Sequence, residues 1–147
     1  MKNSSFKKIV CLCLTIVSIT TLFQTLASAK TRRDVERIES AAESLGNLMN
    51  KEGFDSECFY SEKTDTFYCG YKLGEIESAA NYRKYSSVGS KETETVMMKA
   101  LYNLSKSALQ KAGFDDYVAI MCFVRAKNDD VLFAELDRVD VTDLLSN

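Results

Sequence analysis

Hydrophobic positions change period several times along this chain, and each change predicts a different element. Residues 9–23 form an apolar run diluted by Thr and Ser, behind Lys2, Lys7 and Lys8 and ahead of Ala27-Ser28-Ala29. Then Val35, Ile38, Ala42, Leu45 and Met49 recur every three or four positions, with Arg37, Glu39, Glu43 and Asn47 between them. That spacing lines one face of a helix with apolar side chains. Thr31 and Asp34 have the spacing of a capping box, and Gly53 supplies the stop. A second helical period runs through Met97, Leu101, Leu104, Ala108 and Ala112 to Gly113, with Ser90 as its cap and Glu92 and Glu94 near its positive start.

Between and after these helices the period shortens to two. Residues 57–71 contain Cys-Phe-Tyr and Phe-Tyr-Cys on either side of a polar stretch, the pattern of a β-hairpin. A turn over residues 62–65 pairs Ser61 with Thr66, Tyr60 with Phe67, Phe59 with Tyr68 and Cys58 with Cys69. Cysteines facing each other in an antiparallel pair are within reach of a disulfide. Residues 117–125 and 131–141 predict a second hairpin around the polar turn at 127–130. Residues 72–85 carry a weak helical signal through Ile76, Ala79, Ala80 and Tyr82, and 86–90 read as a loop.

The order helix, Gly-Phe-Asp, hairpin occurs twice at an offset of 60 residues, at Gly53-Phe54-Asp55 and Gly113-Phe114-Asp115. The expected fold is therefore α+β: two tandem α-β-β repeats, about 31–71 and 91–143, joined by a linker with a short helix at 72–90. They build an antiparallel sheet of about four strands with two long helices on one face. This plan is similar to the tandem α-β-β architecture of secreted proteinaceous β-lactamase inhibitors, in architecture alone and without a shared sequence motif.

The first 29 residues have the charged start, apolar middle and small-residue cleavage site of a secretory signal peptide. Cleavage near Ala29 leaves residues 30–147 as one domain that is secreted or extracytoplasmic. Lys30, Arg32 and Arg33 just beyond the cut are atypical of exported chains. The leader's six Thr, Ser and Gln residues between positions 15 and 25 argue against a permanent membrane span, so a membrane enters only through an uncleaved leader.

Charge and composition then narrow the chemistry. The leader holds three of the 19 basic residues and none of the 21 acidic ones, so the remaining domain carries about −5 and nucleic acid is excluded as a partner. With no His, Trp or Pro, the chain lacks the commonest general base and the commonest transition-metal ligand. No cofactor, metal site or catalytic residue is expected. In an oxidising compartment Cys58 and Cys69 are expected to form a disulfide, leaving Cys122 as a buried small hydrophobe. Asp115-Asp116 and Asp129-Asp130 lack the ligand spacing of a calcium loop and read as turns.

Aromatic side chains fall on both faces of the first hairpin, Tyr60 and Phe67 on one and Phe59 and Tyr68 on the other. Only one face can meet the helices. These four residues are the candidate interaction surface of a secreted, non-enzymatic module that contacts another protein or forms a homodimer through an open sheet face. Closure of that face by the middle segment is the competing expectation. The alternatives in function are a small extracellular hydrolase using paired carboxylates and a structural protein of the cell envelope.

Overall fold

The computed structural model describes residues 30–85, 90–114 and 116–145, and the expected signal peptide lies outside them. Among the described residues the chain is α+β, with four helices and one five-stranded mixed sheet. In order these are α1 (Arg32–Lys51), β1 (Asp55–Ser61), β2 (Thr66–Leu73), α2 (Ala79–Tyr85), α3 (Ser90–Ala112), β3 (Ala119–Ala126), β4 (Val131–Leu136), β5 (Val139–Asp140) and α4 (Thr142–Leu145).

Helix α1 starts on a complete capping box. The Thr31 hydroxyl accepts the Asp34 N–H at 3.2 Å, and the Asp34 carboxylate accepts the Thr31 N–H at 3.0 Å. These bonds satisfy donors that the first turn leaves without helical partners. Its buried stripe is Val35, Ile38, Ala42, Leu45, Gly46 and Met49. Beyond its end, Gly53 takes φ +92° and the Phe54 N–H bonds back to the Met49 carbonyl at 3.0 Å. Helix α3 ends identically, with Gly113 at φ +87° and Phe114 N–H on the Leu109 carbonyl at 2.9 Å. The recurring Gly-Phe pair is thus a left-handed helix stop used twice.

The buried face of α3 differs from the expected one. Met98, Leu101, Ser105 and Leu109 point inward and Leu104 stays 41% exposed. The helical period through 97–112 supports both faces, and Ser105 hides the true one because its hydroxyl satisfies itself on the Leu101 carbonyl at 2.8 Å.

Strands lie in the order β1-β2-β3-β4-β5, and β2 pairs with β3 in parallel while all other neighbours are antiparallel. The expected sheet of about four antiparallel strands is corrected in two respects. A parallel pair needs a long crossover, and the segment from 74 to 118 with α2 and α3 provides it. The run at 131–141 is two strands, because Asp137 (φ 47°) and Arg138 (φ 69°) form a tight turn with both residues left-handed. Asn-Gly would announce such a turn, but Asp-Arg does not.

Parallel pairing at the centre also changes the meaning of the repeat. Both long helices pack on the same sheet face, where α1 and α3 residues share a core with Cys69, Ile120 and Val124. Laying α1-β1-β2 on α3-β3-β4 keeps the helix face and the strand order but reverses strand direction. Such an operation is a reflection, so the two chiral units do not superpose. What recurs is the local order of elements and the helix stop.

A smaller cluster occupies the other face: Tyr68, Met121, Phe123, Val131, Ala134 and Val141, with Phe59, Leu136 and Leu145 at its margin. Gly70 belongs to this side. A Cβ there would fall 2.4 Å from the Phe123 carbonyl oxygen and 2.5 Å from its ring, so only glycine admits the Phe123 ring over β2.

Candidate functional site

The sheet places sulfur in a transverse row. Cys58 on β1 stands opposite Cys69 on β2, and Cys69 stands beside Cys122 on β3. All three project toward the helices. Their sulfurs are thiols, with the Cys58 and Cys69 Sγ atoms 3.5 Å apart. Met49, in the last turn of α1, brings its Sδ to 3.9 Å from each of them. Gly46, one turn earlier, faces Cys58 closely: a Cβ there would sit 3.4 Å from the Cys58 Cβ.

The thiols differ in acidity. A hydrogen bond from the Cys58 thiol holds Cys69 below the usual thiol value despite its burial, with the Ser105 hydroxyl adding to the effect. Donating that bond, and burial after it, push Cys58 up. Burial raises Cys122.

The four hairpin aromatics separate as the alternation requires. Tyr60 and Phe67 enter the helix-side core, and the Tyr60 hydroxyl donates to Asp65 at 2.6 Å. Burial, and then the Asp65 carboxylate, raise the Tyr60 phenol. Phe59 and Tyr68 stack on the other face at 4.5 Å with planes 7° apart, and the Tyr68 hydroxyl meets the Thr64 hydroxyl at 3.2 Å. Tyr68 and Phe67 have no exposed surface and Phe59 is half-buried, so this quartet does not form an open patch. The described part of the middle segment does not close that face either. Ile76, Ala79 and Tyr82 join the helix-side core, with Tyr82 edge-on to Phe133 at 5.0 Å. The β3–β4 turn holds the segment there: Lys127 N–H bonds the Ile76 carbonyl at 2.7 Å and Asp130 accepts the Ala79 N–H at 3.0 Å. On the far face it is α4 that packs, through Leu145 beside Val141.

The accessible apolar surface lies elsewhere, between α1 and α3. There the two helices leave a groove of 720 Å³ on their outer side, floored by Ala41, Leu45 and Ala108 and edged by Leu48 and Leu104. Leu48 is 53% exposed. Arg33, Arg37 and Lys111 gather at one end. Arg37 bonds the Ala112 carbonyl at 2.6 Å and lies over the Phe114 ring at 5.1 Å, which fixes its charge there. Glu36 shares that end but is engaged by Arg32 at 3.2 Å.

Among the described residues, the acidic pair at 129–130 lies in a turn, as the sequence suggests. Asp129 pairs with Lys72 at 2.6 Å in the β3–β4 turn, and Asp115 lies outside the described residues. Glu94 and Glu135 are raised above ordinary values by partial burial and by the nearby Asp140 carboxylate, but neither lines the groove. No three Cys, Asp or Glu side chains converge on one point among the described residues, and no helix there is long and apolar enough to cross a membrane.

Comparison with known proteins leaves this reading to the structure: no family, no curated protein and no solved structure matches the chain.

Proposed function

We propose that this chain is an exported, non-enzymatic protein-interaction module, and that its docking surface is the α1/α3 groove. The observation that supports it is the groove itself, an apolar trough with Leu48 and Leu104 exposed on its edges and a basic end. Apolar surface rimmed by polar and charged side chains is the form that protein-interaction grooves take. From Arg33 to Leu48 the trough runs roughly 22 Å at about 1.5 Å per helical residue, the length of about four turns. Its occupant is an acidic amphipathic helix of another protein: leucines fill the trough and carboxylates meet Arg33, Arg37 and Lys111. The basic end disfavours a second copy of the same groove. After export, Cys58 and Cys69 give up two protons and two electrons to a disulfide-donating oxidant of an oxidising compartment, and their sulfurs close from 3.5 Å to about 2.05 Å, stapling β1 to β2.

A labelled synthetic helix of alternating Leu and Glu faces, titrated with the full chain and followed by fluorescence anisotropy, tests the groove. Binding is expected to weaken with salt and to be lost in Leu48→Glu/Leu104→Glu, which changes exposed positions only. Binding insensitive to that double variant, or no binding, overturns the reading. Light scattering that finds a dimer abolished by the same variant assigns the groove to a second copy instead.

A further inference from the structure

The sulfur row contains a geometry that the groove does not use and that exists only while Cys58 and Cys69 are reduced. Cys58 Sγ, Cys69 Sγ and Met49 Sδ form a nearly equilateral triangle with sides of 3.5, 3.9 and 3.9 Å. The point equidistant from all three lies about 2.2 Å from each, close to a metal–thiolate bond length of about 2.3 Å for zinc. Three convergent sulfurs at bonding radius are a ligand set. We propose that the reduced protein binds one Cu(I) ion through Cys58, Cys69 and Met49.

Ligand type selects the metal. A thioether with two thiolates is soft, whereas zinc takes four ligands in structural sites and calcium and magnesium take oxygen. Cu(I) has a filled d shell and accepts three sulfurs in a plane, and it needs no fourth ligand; with two thiolates it leaves one negative charge at the site. On binding, each cysteine exchanges its proton for a metal–sulfur bond, both protons leave to solvent, and Met49 donates a lone pair. No electron is transferred.

The surroundings fit such a site. Helix α1 supplies Met49 from a packed turn and the hairpin supplies both cysteines from paired strands, so all three ligands sit on rigid elements. Access is through Cys58, which is half-buried and opens on a cavity of 320 Å³ with Glu43 and Glu57 on its wall; Glu57 is paired with Arg125 at 3.2 Å, and Glu43 is the carboxylate left to attract a cation. Gly46 packs directly over Cys58, where a Cβ would lie 3.4 Å from the Cys58 Cβ. A disulfide between the same cysteines removes two of the three ligands, so copper binding and the staple exclude each other. Failure of the groove leaves this site untouched.

The test uses the full chain with Cys11→Ser and Cys13→Ser, fully reduced under nitrogen, competing with bicinchoninate for Cu(I). One ion per chain is expected, with X-ray absorption counting three sulfurs at about 2.2 to 2.3 Å. Cys58→Ser abolishes binding, and Cys122→Ser leaves it unchanged. Met49→Leu, which conserves volume and therefore the fold, weakens affinity by about 10-fold or more. The proposal is overturned if bicinchoninate keeps the copper, if Met49→Leu binds as tightly as the parent, if Cys122→Ser loses the ion, or if absorption shows two sulfurs.

Discussion

The first half of the molecule, α1-β1-β2, and the second, α3-β3-β4, are built with the same local devices and differ in what holds them. Each helix ends on a left-handed glycine with a phenylalanine N–H folded back on the last turn. Yet α1 enters on a closed capping box, whereas the second half carries like charges near one another, with Glu94 and Glu135 both raised by burial and by Asp140. In the first half a four-residue turn keeps β1 and β2 in unbroken register, while in the second a bulge at Val124/Arg125 and the tight turn at Asp137-Arg138 bend the sheet edge. Local sequence therefore specifies how a helix stops and a strand begins. The relation between the halves is settled at their seam, where β2 and β3 run parallel.

The largest effect is expected at that seam. Gly70→Ala places a Cβ against the Phe123 carbonyl and ring, and overpacking of this kind costs about 1 to 3 kcal/mol or more. Urea denaturation should show a lower midpoint with an unchanged slope. A loss below about 0.5 kcal/mol would mean the seam is soft and the halves adjust independently.

A smaller effect sharpens the comparison of the two helix stops. Gly53→Ala and Gly113→Ala each force a side chain into the left-handed region, at about 1 kcal/mol or somewhat more. At Gly53 the new Cβ meets open space, but at Gly113 it meets the Arg37 guanidinium at 3.4 Å. Gly113→Ala is therefore expected to be the more damaging of the two in thermal melts, and Arg37→Ala should reduce the difference.

Acidity gives the smallest effect and opposite signs in the two halves. The Thr31 hydroxyl, followed by the Thr31 backbone N–H, lowers Asp34, so its contribution is present above the unfolded carboxylate value and lost as pH falls through the folded one. Glu135 is raised, first by burial and then by Asp140, with Arg138 opposing, so its charge weakens the fold at neutral pH and the penalty disappears as pH falls through the raised value. Glu135→Gln should raise Tm slightly at pH 7 and leave it unchanged below about pH 4, where both states are protonated. Asp34→Asn should lower Tm at pH 7 and converge with the parent in acid. Parallel curves for the two variants would show that neither half titrates as described.

Much of the fold was legible because it rests on periodicity and short-range chemistry. The stripe of α1 and the alternation that sends Tyr60 and Phe67 to one face and Phe59 and Tyr68 to the other depend only on residues close in sequence. Helix α3 was harder, since two adjacent faces both carry apolar residues, and burial of a self-satisfied Ser105 chose between them. The candidate sites were less legible. The groove requires knowing that Leu104 faces out beside Leu48 from another helix, and Met49 in the α1 stripe reads as one more core position until the hairpin brings two sulfurs to it.

Taken by itself, the sequence determined the start of α1, the glycine stops of α1 and α3, the first hairpin's register and the net negative charge of the domain, because each follows from neighbours within a few residues or from composition. Tertiary structure alone decided the parallel seam, the opposite hand of the two units, the burial of Tyr68 and the meeting of three sulfurs. Those depend on which distant surfaces pack together, and a local pattern compatible with two faces or two strand orders carries no information about which one buries better.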